Sequence, residues 1–250
     1  MLLKMIGLLF LWGTIIFTVM QKNDIIWVVS ALCSIILMHF IPKWQKLGGL
    51  SHLGLQVKKG WFRFFLFGSL IGTVFQLIRF SVMYSTGAIR IQNLSVDTNA
   101  LMVSTIILLI STVYIGFAEE IVFRGYVVSI LPYSPKIVVV ISAILFTLGH
   151  LIDGDFAIAR MCFLFIAGLF FAICYVVTRS LWFVVGIHWF WDFSWFYLGA
   201  DGGTSSAKII NVAMNENMKP YYEWIDVVVV LGLLLLLLIL TRKSFLLKKS

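Results

Sequence analysis

Apolar runs as long as Ala100–Leu131, separated by short polar breaks, leave this chain one solvent in which to fold. In hydrocarbon every backbone N–H and C=O must be bonded internally, so a spanning chain is either helical or a closed barrel. The runs are continuous and do not alternate, which selects helices. Composition agrees: 61% of residues are hydrophobic and 12% charged, against about half and a quarter in a soluble domain. The fold class expected is all-α: a single integral membrane domain over residues 1–250 with eight transmembrane helices. These run about Met5–Met20, Ile25–Ile41, Trp61–Tyr84, Ala100–Leu131, Lys136–Leu151, Phe156–Val177, Leu181–Leu198 and Glu223–Leu240. No A-x-A-like site follows Met5–Met20, so it reads as a retained first helix. The polar stretch Ser85–Asn99 reads as a piece lying at the interface, and the fourth helix, longer than the hydrocarbon core, is expected to tilt or to bend at Gly116 or Gly125.

The net charge of +8 belongs to loops that set orientation, and it carries no expectation of nucleic-acid binding. Lys4, the Lys43–Arg63 loop, Lys136, Arg179 and the tail with Arg242, Lys243, Lys248 and Lys249 fall on one side. Asp24, Asp97, Asp153, Asp155 and Asp201 fall on the other. The positive-inside rule then puts both termini in the cytoplasm of a multi-pass protein of the cell membrane. Cys33, Cys162 and Cys174 lie in apolar runs without C-x-x-C spacing and read as packing residues. No inverted repeat or pair of broken helices suggests a transporter.

Inside the fourth run stands Gly116-Phe-Ala-Glu-Glu-Ile-Val-Phe-Arg-Gly125. Ionisable groups at such depth are costly and mark a site with a partner. Glu120 and Arg124, four apart, share a helix face, whereas Glu119 is turned about 100° away. One acid is then a strut and the other is free to react. The fifth helix ends Phe146-Thr-Leu-Gly-His150, and the seventh holds His188-Trp-Phe-Trp-Asp192, again with one shared face. At about 1.5 Å per residue, Glu119, Glu120, His150, His188 and Asp192 all lie roughly 12–21 Å from their helix ends on the basic side. A common depth near mid-membrane predicts one pocket built by helices four, five and seven, open toward the cytoplasm or laterally. Arg79 and Arg160, near span ends, read as snorkelling to water. His39 and His52 fit no pattern.

The series Glu119-Glu120-x-x-x-Arg124, Phe146-x-x-x-His150 and His188-x-x-x-Asp192 resembles the three motifs of the CPBP family, the CAAX prenyl proteases and bacteriocin-processing enzymes also called Abi. The match covers about Val113 to Phe196, inside a catalytic core of about residues 100–198. Asp192 stands where eukaryotic-type prenyl proteases usually have Asn, so the chain is more similar to the bacterial branch. The resemblance implies an intramembrane endopeptidase acting on a membrane-associated peptide or protein, with membrane lipid around it. It implies Glu119 as general base, His150 positioning the same water, His188 and Asp192 facing the scissile carbonyl as an oxyanion hole with Asp192 orienting His188, and Glu120 with Arg124 as structural support. It leaves the cofactor as none or a divalent metal such as Zn, held by Glu119, His150 and His188. The alternative it leaves is a non-catalytic immunity or scaffold protein that binds a peptide or protein partner.

Overall fold

The computed structural model describes residues 1–94, 98–199 and 208–246. Asp97, Asp201, Lys248 and Lys249, which entered the orientation argument, lie outside the described residues, as do the side chains of Asp153, Arg242 and Lys243. The chain is a helical membrane bundle with one small sheet. Helix α1 is Leu2–Val19, α2 Asp24–Trp44 and α3 Trp61–Ser85. Strand β1 is Ile89–Leu94. The long run α4 is α-helical over Thr98–Glu120, π-helical over Ile121–Tyr126 and α-helical again over Val127–Ile130. Then come α5 (Pro135–Gly149), α6 (Ile158–Thr178), α7 (Leu181–Tyr197), strand β2 (Ile210–Met214) and α8 (Tyr222–Leu246).

Local chemistry sets several boundaries. Asn23 caps α2 by accepting from the amides of Ile25 and Ile26 at 3.0 and 3.1 Å. Pro135 opens α5, where its missing N–H costs nothing. Seven helices among the described residues are long and apolar enough to cross a membrane. The other, α7, has 17 residues, about 25 Å against a hydrocarbon core of about 30 Å. It packs against α3, α4 and α6 and is the interior helix of the bundle.

Small residues let α3 approach α7 at backbone distance. A Cβ at Gly68 would lie 2.1 Å from the carbonyl oxygen of Phe183, at Gly72 2.2 Å from that of Ile187, and at Gly186 2.3 Å from that of Phe65. Gly68 and Gly72 form the small-xxx-small spacing that brings membrane helices together. Gly72→Ala is therefore expected to destabilise the protein by about 1–3 kcal/mol through overpacking. Gly13→Ala, with open space around its Cβ, should be silent. Thermal unfolding in detergent checks both; equal melting temperatures would contradict the close α3–α7 contact.

The sheet was not expected. Within Ser85–Asn99, read as an interfacial piece, Ile89 and Ile91 alternate with polar residues, and β1 pairs antiparallel with β2, Ile89 opposite Met214 and Leu94 opposite Ile210. Met83, Ala88, Ile89 and Val212 form its own small core. The sheet joins the α3–α4 and α7–α8 connections at one end of the bundle, called here the sheet end. Of the cysteines, Cys174 is buried, Cys162 half-buried and Cys33 exposed on the bundle surface, so packing accounts for the first alone.

Candidate active site

Glu119 and Glu120 close the α-helical part of α4, and the π segment begins at the next residue. A π turn widens the helix by one residue and re-aims its side chains, a device frequent at functional sites. Where a tilt or a bend at Gly116 or Gly125 was expected, the helix widens over Ile121–Tyr126. Gly116 has its own task. A Cβ there would lie 3.1 Å from the amide nitrogen of Trp189, so its absence brings α4 onto α7 one turn before the acids.

Glu120 and Arg124 are fully buried. Arg124 Nη1 donates to Glu120 Oε1 at 2.9 Å, the ion pair expected from their spacing. The guanidinium lies over the Phe146 ring at 4.2 Å and the Phe171 ring at 5.1 Å. Arg124 is thereby held on its faces as well as its edge. His188, from α7, stacks on Phe171 with centroids 4.9 Å apart and donates from Nδ1 to the same Glu120 Oε1 at 2.7 Å. The principal orienting partner of His188 is therefore Glu120; Asp192 Oδ2 lies 3.5 Å from its other nitrogen, Nε2. Sequence spacing could not show this, because Glu120 and His188 meet only when α4 packs against α7.

Glu119 faces the other way. Its Oε2 is buried and accepts no hydrogen bond from the described residues. It lies 3.7 Å from His150 Nε2 and 3.9 Å from His188 Nε2. His150 stands in the 3₁₀ turn that follows α5, where its Nδ1 donates to the carbonyl of Phe146 at 2.9 Å. That bond fixes the tautomer of a neutral His150 and leaves Nε2 with its lone pair toward Glu119. All six residues singled out from the sequence thus gather around one point. A cavity of about 210 Å³ adjoins it, lined by His150, His188, Asp192 and an apolar wall that includes Phe163 and Trp191. One water occupies about 30 Å³ of liquid, so several fit.

A metal fits less well. Among the described residues no group of three or more His, Cys, Asp or Glu side chains is arranged to hold a metal ion. Nδ1 of His188 is held by Glu120, which leaves Nε2 as the nitrogen it could offer a ligand.

Arg79 does not snorkel. Arg79 is buried at 2% exposure, forms a two-pronged ion pair with Asp226 of α8, and lies 3.4 Å over the Trp195 ring. Arg160 pairs with Asp155 at 3.2 Å. Asp226 escaped the sequence reading altogether. The signal was present: one carboxylate a turn inside an apolar helix, matched by one arginine near the end of another.

Residues 101–194 match the family described as Rce1-like, type II CAAX prenyl endopeptidase. Over this segment the chain is similar to the CAAX protease family. No curated protein and no solved structure matches the chain at a significant level. The matched segment contains Glu119, Glu120, Arg124, His150, His188 and Asp192. With its long apolar helices, the chain is a multi-pass membrane protein.

Proposed function

We propose that the chain is an intramembrane endopeptidase that hydrolyses a peptide bond of a membrane-associated peptide or protein with a water activated by Glu119. The observation that carries this is the unpartnered, buried Glu119 Oε2, set between two imidazole Nε2 atoms at 3.7 and 3.9 Å beside a cavity that admits water. Those separations are too long for direct hydrogen bonds and suit one bridging water. A water there donates one proton to Glu119 and the other to His150 Nε2. Its lone pair then points away from both, toward a substrate carbonyl. Attack delivers the first proton to Glu119, which can pass it to the leaving amine.

The oxyanion needs donors. With Nδ1 held by Glu120, a protonated His188 presents Nε2–H toward the cavity. Asp192, 3.5 Å from that nitrogen, keeps the imidazolium compensated until the oxyanion replaces it. Glu120 and Arg124 position His188 and do not touch substrate. No step requires a metal. The orientation proposed is both termini in the cytoplasm, so the sheet end faces outward. The active cavity shares lining residues with a chamber at that end. A C-terminal reporter active only outside the cytoplasm would reverse this assignment.

The direct test compares membrane and secreted proteomes of cells carrying wild type and Glu119→Ala. Peptides cut only in the wild type support the enzyme. An unaltered proteome together with a preserved phenotype supports the scaffold alternative.

A further inference from the structure

Two chambers adjoin α6 and α7. The first is the active cavity; the second, of about 490 Å³, lies at the sheet end and is lined among others by Arg79, Arg160, Trp195, Met214, Glu223 and Asp226. Phe163, Leu164, Trp195 and Phe196 line both, so the chambers meet at one apolar partition. Arg79 is fixed in the second chamber on three sides. Nε and Nη2 donate to Asp226, and the flat face rests on Trp195. Its remaining nitrogen, Nη1, is buried and has no hydrogen-bond partner among the described residues. A guanidinium has only donors to offer, and a buried donor left unpaired is costly. The group this chamber lacks is an oxygen acceptor.

Position says whose oxygen it is. On α7, Phe196 is one turn beyond Asp192, about 6 Å along the axis. An extended peptide advances about 3.3 Å per residue. A substrate whose scissile carbonyl lies beside Glu119 and Asp192 therefore reaches the second chamber two to three residues away. We propose that the second chamber is a specificity subsite of the peptide substrate, in which Arg79 Nη1 donates to an oxygen two to three residues from the scissile bond. This rests on the protease function proposed above. Arg79 acts as a binding residue and Trp195, pinned beneath it, as the wall that aligns the chain.

The experiment uses the full-length protein in phospholipid nanodiscs and a peptide library made by digesting a bacterial proteome, with products read by mass spectrometry. One cleaved peptide is then shortened residue by residue on each side of the cut. Wild type alone decides the first arm. KM should rise about tenfold when the second or third residue on one side is removed, with kcat changed less than twofold. If KM is indifferent to residues beyond the first on both sides, the subsite is overturned. Replacing an acidic side chain there by Ala, or amidating a terminal carboxylate there, reproduces the tenfold loss if the oxygen is a carboxylate and leaves KM unchanged if it is a backbone carbonyl; the truncation loss is required in either case.

Two variants form the second arm. Arg79→Met with Asp226→Leu removes both charges together, which membrane packing tolerates better than removing one. Met214→Trp fills the chamber from β2 and leaves the ion pair alone. Both are expected to raise KM for the long peptide about tenfold and to leave the shortened peptide unaffected. Folded variants with wild-type KM for both peptides overturn the proposal, as does loss of a bound phospholipid with no change in KM, which would make the chamber a lipid site. Absence of any cleavage by wild type overturns the protease function itself, and the subsite with it.

Discussion

Glu119→Gln is expected to lower peptide hydrolysis by about 10²–10⁴-fold, the usual contribution of a positioned general base, without reducing the amount of folded protein. The two halves of this expectation come from different observations. Loss of activity follows because an amide cannot accept the proton of the attacking water. Normal accumulation follows because, among the described residues, Glu119 Oε2 takes no hydrogen bond and joins no ion pair closer than 3.7 Å, so the isosteric amide abandons no partner. Purified protein in nanodiscs, assayed on a cleaved library peptide and melted in detergent, checks both halves. An active Glu119→Gln would remove Glu119 from the chemistry. An inactive but unfolded one would make it a structural residue.

Glu119 and Glu120 were separable in the sequence because the helical period alone sends adjacent residues to different faces. The Glu120–Arg124 pair was legible for the same reason, as it stays within one helix. The shared depth of the acids and histidines was legible because rise per residue converts sequence position to height. What the sequence could not supply is lateral arrangement. The bond from His188 to Glu120 spans α7 and α4, and the one from Arg79 to Asp226 spans α3 and α8. Such pairs depend on which helices touch. Part of that information was available. Gly68 and Gly72 mark a close-packing face, and that face meets α7. Read with the isolated charges of α3 and α8, it argues against snorkelling for Arg79. The π widening at Ile121 is different. Its residues include the weak helix formers Val122 and Gly125, but weak propensity does not distinguish a widened turn from a bend, which packing between α4 and its neighbours decides. The strand pair was half legible: β1 shows its alternation, but its partner lies far along the chain.

Arg124→Ala should have the largest effect on stability. Arg124 and Glu120 have no exposed surface, and Glu120 Oε1 accepts from both Arg124 and His188. Removing the guanidinium strips the buried carboxylate of its permanent cation and deletes the body that fills the space against Phe146 and Phe171. Breaking one side of a buried ion pair costs about 3–5 kcal/mol, a large part of the stability of most proteins. Little folded Arg124→Ala is therefore expected, measured as detergent-resistant protein with a cooperative melt. Arg124→Lys should rescue only partly, because an ammonium lacks the planar face that rests on the two rings. Glu120→Gln with Arg124→Met removes the stranded charge and keeps an acceptor for His188 Nδ1. It should recover more folded protein than Arg124→Ala, yet remain strongly impaired in hydrolysis, because His188 then faces the oxyanion without the anion that supports its protonated form. Wild-type levels and melting temperature for Arg124→Ala would show that the cluster does not hold the helices together. Full activity of the double variant would show that Glu120 does not act through His188. The two measurements are independent, so the structural and the positioning roles of this one carboxylate can be told apart.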